Sequence, residues 1–167
     1  MRIIKTIKFD TTNGLGIGYC IFISGCRNNC KGCFQPETHS FDVGRLYTKP
    51  VKQELLKEID NQFYDRVTLL GGEPLEPENQ PDLLDLIHEI KKLNKKIWLY
   101  SGCYYEDILK PEHRFNTEYL TEILSLIDVF IDGPFIESQK NLTLKFKGSE
   151  NQHVYIMKNG KPINQIL

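Results

Sequence analysis

The chain has 167 residues, 40% of them hydrophobic and 26% charged, enough for one hydrophobic core and ordinary for a globular protein. Its 21 basic and 22 acidic side chains leave a formal charge of −1 without a block of either sign, so the basic stripe of a nucleic-acid binder is missing. No apolar run reaches the roughly 18 to 20 residues of a membrane span, and the opening MRIIKTIKFD is too broken by charge to be the apolar centre of a signal peptide. These features predict a single domain over residues 1–167 in the cytoplasm, with neither nucleic acid nor membrane as partner. Thiols stay reduced there, so five cysteines point to metal or redox chemistry rather than disulfides.

In chain order, Arg2 to Phe9 and Tyr19 to Ile23 read as strands, joined by NGLGIG, whose glycines suit a tight connection. Three cysteines follow at once in GCRNNCKGCF, residues 25 to 34, spaced C-x3-C-x2-C. Thr48 can cap a helix with Pro50 in its first turn and Val51, Leu55, Ile59 and Phe63 on one face. VTLL, residues 67 to 70, ends in Gly-Gly and reads as a buried parallel strand. Pro81 opens a second helix with Leu83, Leu84, Ile87 and Ile90 inward, and IWLY, residues 97 to 100, is the next strand. A third helix near Glu118 to Ile127 presents Leu120, Ile123, Leu124 and Ile127, and precedes the strand VFID, residues 129 to 132. LTLKF and HVYIM read as two closing strands or a strand pair.

Strands alternating with amphipathic helices imply an α/β fold with right-handed crossovers and a mostly parallel sheet. The units are too few for a closed eight-stranded barrel, which predicts an open or partial one. Chemistry in such sheets gathers at the carboxyl ends of the strands. The cysteine loop, GGEP, YSGC and DGPF each follow a predicted strand directly, so all four are expected on one edge.

Three cysteines admit two readings. Zinc would take Cys26, Cys30 and Cys33 with His39 or Cys20 as a fourth ligand, giving a stabilised binding module with no catalysis. An iron–sulfur cluster normally takes four cysteinates; with three, one iron keeps open positions for a substrate. Such a cluster could bind S-adenosylmethionine and cleave it by one-electron reduction to methionine and a 5′-deoxyadenosyl radical. GGEP, residues 71 to 74, fits this second reading, because adjacent glycines let backbone approach a ligand and Glu73 can accept from its ammonium group.

NGLGIG, FISGC, the cysteine loop, GGEPLEPEN, KKIWLYSG with EDI after it, IDVFIDGPF and KGSENQ occur in that order over nearly the whole chain. In these motifs the chain resembles the radical S-adenosylmethionine superfamily and, more narrowly, the activating proteins of anaerobic ribonucleoside-triphosphate reductase. The resemblance implies a partial (β/α) barrel of the radical S-adenosylmethionine type. It implies that Cys26, Cys30 and Cys33 ligate one [4Fe–4S] cluster, and that Gly32, Cys33, Phe34, Gly72 and Glu73 form the S-adenosylmethionine site, with Phe34 as the adenine-side aromatic. It also implies an activity: hydrogen abstraction from a glycine near the C-terminus of the large reductase subunit, leaving a stored glycyl radical. The electron would come from a flavodoxin-like or other low-potential donor. A formate-lyase type of glycyl-radical enzyme is the alternative target, though its activators tend to be longer. Similar activators often carry arginine where this chain has Gly18, and tyrosine where it has Cys103.

Other residues read more plainly. His39 is expected to be a loop residue and His88 a surface one, while His113 and His153 have no partner visible in sequence. Asp132 is placed for a cleft role by its position at a strand end. Cys103 reads as a small buried hydrophobe, and Tyr104 and Tyr105 as core packing. Ser149, Asn151 and Gln152 match the family without a derivable role.

Overall fold

A computed structural model describes residues 1–166. The described strands are β1 (Arg2–Asp10), β2 (Gly18–Ile23), β3 (Arg45–Leu46), β4 (Arg66–Gly71), β5 (Lys96–Tyr100), β6 (Val129–Asp132), β7 (His153–Lys158) and β8 (Lys161–Gln165). The helices are α1 (Lys49–Ile59), α2 (Gln80–Lys92), α3 (Tyr105–Ile108) and α4 (Leu120–Leu126). All eight strands join one sheet in the order β3-β1-β2-β4-β5-β6-β7-β8. The central run β2-β4-β5-β6 is parallel, whereas β1, β3, β7 and β8 add antiparallel edges. Parallel pairing is therefore confined to the centre, where crossover helices can return the chain to the same edge.

Residues alternate across the sheet as the strand period requires. Tyr19, Ile21, Val67, Leu69, Ile97, Leu99 and Phe130 face α1, α2 and α4 and form the main core with Leu55, Leu83, Ile87 and Ile123. The opposite face carries Cys20, Phe22 and Leu70, then Trp98, Val129, Ile131 and Val154. In α1, Val51, Leu55 and Ile59 are buried as the pattern predicts. Phe63, expected on that face, lies beyond the helix end and is 60% exposed. In α2 the inward set includes Leu86, with Leu84 only partly buried.

The closing strands differ from expectation. LTLKF forms no strand. HVYIM pairs with Lys161–Gln165 instead, across Asn159 and Gly160, both at positive φ (50° and 77°). Asn-Gly accepts that left-handed backbone and sets the tight hairpin turn. Phe146, freed from a strand, packs edge-on against Trp98 at 5.3 Å and covers the second face of the sheet.

Candidate metal centre

The carboxyl ends of β2, β4, β5 and β6 do open onto one cleft, of about 530 Å³. Its wall carries Cys26, Cys30 and Cys33 after β2, Gly71 and Gly72 at the end of β4, Ser101 and Gly102 after β5, and Gly133 and Phe135 after β6. Phe22, Leu70 and Tyr100 provide an apolar floor. Among the described residues that line the cleft there is no Asp or Glu, while Lys5 and Lys147 stand at it.

The cysteine loop is set by backbone contacts. Gly25 N–H donates to Thr38 O at 2.7 Å and Cys26 N–H to His39 O at 3.1 Å. Cys33 N–H returns to Cys30 O at 3.2 Å, a turn that places Gly32 at φ +72°. Gly72 answers a different demand. Its N–H donates to Ile23 O at 2.7 Å, and a Cβ there would stand 2.7 Å from Gly25 O and 2.8 Å from Thr38 O. Only a residue without a side chain lets the end of β4 press against the cysteine loop.

Glu73 is wholly buried and is not part of the cleft wall. Its Oε2 accepts from Gly102 N–H (2.8 Å), Ser101 Oγ (3.1 Å) and Asn28 Nδ2 (3.1 Å), and its Oε1 from Leu75 N–H (3.2 Å). Burial pushes its pKa up to about 7, against the hydrogen bonds, which favour the charged form. The carboxylate thus ties the loops after β2, β4 and β5 together from beneath the cleft.

A second network was not foreseen. Asn28, between the first two cysteines, also accepts from Arg114 Nη2 and, at 3.6 Å, from Cys103 Sγ. Arg27 reaches the buried Glu76 through its N–H (2.9 Å) and its guanidinium (2.8 Å), and pairs with Glu78 as well. Arg114 Nε meets Glu76 at 3.3 Å. Arg27 and Asn28, two of the three polar residues between Cys26 and Cys30, were the only sequence signal for this clamp.

The remaining predicted residues fall into place around it. Phe34 is half exposed at the mouth, its ring 4.8 Å from that of Phe135. Cys103 is partly buried against the core, as expected, and Tyr105 packs on Phe130 and donates to Gly160 O at 2.7 Å. Asp132 does not line the cleft: it accepts from Tyr105 N–H (2.7 Å) and bonds His153 Nδ1 (2.8 Å), the partner that sequence did not show. Gln152 accepts from Gly148 and Ser149 N–H and donates to Gly133 O at 2.9 Å, so the GSENQ segment staples the loop after β6. Asn151 adds a bond to Pro134 O at 2.8 Å, and Ser149 Oγ takes Ile136 N–H at 3.2 Å. At Gly18 a Cβ would fall 2.3 Å from Arg66 Nη1; the guanidinium of β4 fills the space that a side chain there would need.

The donor set suits an iron–sulfur cluster. Burial pushes the Cys26 thiol up to about 12 and raises Cys30, so thiolates here need a cationic partner to form. Among the described residues no three His, Cys, Asp or Glu side chains close on one point as a single ion requires. Three cysteines on the wall of one cleft supply the thiol donors that an iron–sulfur cluster takes. Cys20, weighed as a zinc ligand, is sealed in β2 beside Arg66, and its thiol is pushed up to about 12 by burial.

Residues 12–155 match the family model described as a 4Fe-4S single cluster domain. The chain is similar to the anaerobic ribonucleoside-triphosphate reductase-activating protein of Haemophilus influenzae, 32% identical over 162 residues that cover 95% of this chain and 99% of that protein. The protein of the same name from Enterobacteria phage T4 is 33% identical over 150 residues, 87% of this chain and 88% of its own. That from Escherichia coli K12 is 30% identical over 150 residues, 87% and 92% of the two chains. Likeness over nearly the full length of both partners covers all four loops of the cleft, and the chain belongs to the family of anaerobic ribonucleoside-triphosphate reductase-activating proteins, with its 4Fe-4S domain.

Proposed function

We propose that this chain is a radical S-adenosylmethionine enzyme of the cytoplasm that installs a glycyl radical on the large subunit of the anaerobic, class III ribonucleoside-triphosphate reductase. The observation that carries the reading is that three thiols and, among the described residues, no carboxylate line one roomy cleft at the carboxyl edge of the parallel strands. Cys26, Cys30 and Cys33 would hold a [4Fe–4S] cluster with one iron left for substrate. When bound, that group supplies one electron to the sulfonium of S-adenosylmethionine, releasing methionine and the 5′-deoxyadenosyl radical.

The chain's own residues orient and shield. Phe34 and Phe135 offer ring faces at the mouth for a stacked base, and Gly72 brings bare backbone beside the cysteine loop. Phe22, Leu70 and Tyr100 give the floor an apolar surface against which a substrate can pack with little solvent around it. Glu73 acts from below, holding Gly102 and Asn28 in place, and not as a wall residue. The partial (β/α) barrel is supported by α1, α2 and α4 all covering one face while the cleft occupies the other. The relatives' names favour the reductase over a formate-lyase as target, and a flavodoxin-like protein is the fitting donor.

Anaerobic reconstitution with iron and sulfide, followed by electron paramagnetic resonance with and without S-adenosylmethionine, tests the reading. A reduced-cluster signal that S-adenosylmethionine alters, release of 5′-deoxyadenosine, and a glycyl radical on added reductase are expected. Alanine at Cys26, Cys30 or Cys33 should abolish all three, whereas Cys20→Ala and Cys103→Ala should keep the cluster. Zinc retained in place of iron would overturn the enzyme reading, and cluster loss in Cys20→Ala would overturn the three-ligand assignment.

A further inference from the structure

Arg114 reaches the cysteine loop from the turn before α4, and the fold fixes where it starts. The next residue, Phe115, is fully buried, and its carbonyl accepts from Gln80 Nε2 at 2.9 Å. The guanidinium lies over the Phe115 ring, 4.4 Å from its centroid, which restricts where it can point. It then holds two partners at once. Nη2 donates to Asn28 Oδ1, while Nε and Nη2 meet the wholly buried Glu76 at 3.3 and 3.2 Å. Asn28 turns its amide nitrogen to Glu73 Oε2 at 3.1 Å, so both ends of that amide have a charged partner. Glu76 Oε1 in turn accepts the Arg27 N–H at 2.9 Å. Arg27 and Asn28, the residues that follow Cys26, are thus both tied to groups outside the loop. Beyond Cys30 the loop has less support. Cys33 N–H bonds back to Cys30 O, and Lys31 meets Glu137 at 3.2 Å between two exposed side chains, a weak tie.

We propose that Arg114 is a positioning residue of the metal centre: through Asn28 and Glu76 it fixes the segment from Cys26 to Cys30 in the metal-free protein, so that less of the loop has to be ordered when a cluster is taken up. The inference rests on the cluster reading proposed above. A loop that is already ordered loses less conformational freedom when a group binds to it. Arg114 is not part of the cleft wall, whereas Asn28 is, so its effect passes through Asn28 and not through contact with a bound group. The planar fork matters as well as the charge, because one guanidinium serves an amide oxygen and a carboxylate together, which a lysine ammonium does less well. Without Arg114, Glu76 still keeps Arg27, at 2.8 Å, so the fold does not depend on this one residue.

The test compares the parent chain with Arg114→Met, Arg114→Lys and a control, Arg45→Met, which removes a surface guanidinium from Glu54 outside the cleft wall. Amide hydrogen exchange is followed on the metal-free proteins, and uptake of iron and sulfide and the reduced-cluster electron paramagnetic resonance signal on the reconstituted ones. The Arg27 amide of Arg114→Met is expected to exchange about tenfold faster than in the parent, as loss of one charge-assisted bond implies, with Arg114→Lys between them. The amides of β4 and β5 should exchange as before. Slower cluster uptake and an altered signal are expected in Arg114→Met, with Arg45→Met like the parent. An unchanged Arg27 amide overturns the inference, and so does faster exchange throughout the sheet, which would make Arg114 a general support of the fold. Local loosening with parental uptake and signal overturns it too, because the loop would then be ordered to no purpose for the cluster. If Arg114→Met does not fold, Arg114→Lys carries the same comparison. A parent chain that takes up no cluster would defeat the cluster reading instead, and the exchange data on metal-free protein keep the two failures apart.

Discussion

Glu73 is the residue whose surroundings most change its meaning. In the sequence, the acid of GGEP reads as an acceptor for a ligand's ammonium group; in the fold it accepts four hydrogen bonds from protein groups, three of them in neighbouring loops. Because burial raises its pKa from the ordinary 4.5 to about 7, the folded protein binds this proton more tightly than the unfolded chain does. Stability from this group is therefore greatest below pH 4.5 and declines as pH rises to 7, by about 3 kcal/mol in all at 1.36 kcal/mol per unit. Glu73→Gln cannot titrate, so the difference in urea midpoint of the cluster-free protein between pH 5 and pH 8 should shrink. An equal difference in parent and variant would mean that the carboxylate stays charged throughout. Burial of this kind is invisible in a Gly-Gly-Glu-Pro string, which reports only a turn after a strand.

The contact between the end of β4 and the cysteine loop depends on Gly72. A methyl group there meets two backbone carbonyl oxygens, at 2.7 and 2.8 Å, and neither can rotate away. Gly72→Ala should cost about 1–3 kcal/mol, typical of overpacking, and should lower iron uptake by parting the strand end from the loop. Thermal unfolding and iron content of the reconstituted variant measure both; a variant that melts and loads like the parent would show the seam to be looser. Elements themselves were mostly legible, because β4, β5 and β6 are continuous apolar runs and α1, α2 and α4 repeat apolar residues at helical spacing. LTLKF misled because its alternation is that of a strand, while the strongest local turn signal, Asn159-Gly160, lies further on and claims HVYIM for another partner.

Across the molecule, the loop joining β1 to β2 closes one side of the cleft through Thr12 and Asn13, and a buried ion pair holds it. Arg66, fully buried in β4, meets Asp10 Oδ2 at 2.7 Å and donates to the carbonyls of Asp10 and Gly14 at 3.1 Å and of Leu15 at 3.1 Å. Burial works against the Asp10 carboxylate, but bonds from Arg66, Thr12 and Asn13 hold it well below the usual carboxylate range. Arg66→Ala strands that charge and should destabilise the protein by roughly 3–5 kcal/mol. Asp10→Asn combined with Arg66→Met should recover much of the loss. Urea unfolding of the parent and the two variants checks it, and a loss under 1 kcal/mol in Arg66→Ala would mean that water reaches Asp10.

Local chemistry determined what could be read from the chain alone: hydrophobic period set the strand and helix types, and the C-x3-C-x2-C spacing put three thiols on one short loop, because both are properties of neighbours in sequence. The shared edge followed from alternation of strand and helix, since parallel strands must all end on one side. Tertiary structure decided the rest. Whether Glu73 faces a ligand or the interior, that Arg66 fills the space at Gly18, that Asn28 and Arg114 clamp the cysteine loop, and that His39 is left without a partner each depend on groups from 28 to 86 residues apart, or on the absence of any. Those distances close only when the sheet brings its strand ends together, and desolvation, which sets the energies there, exists only once they have.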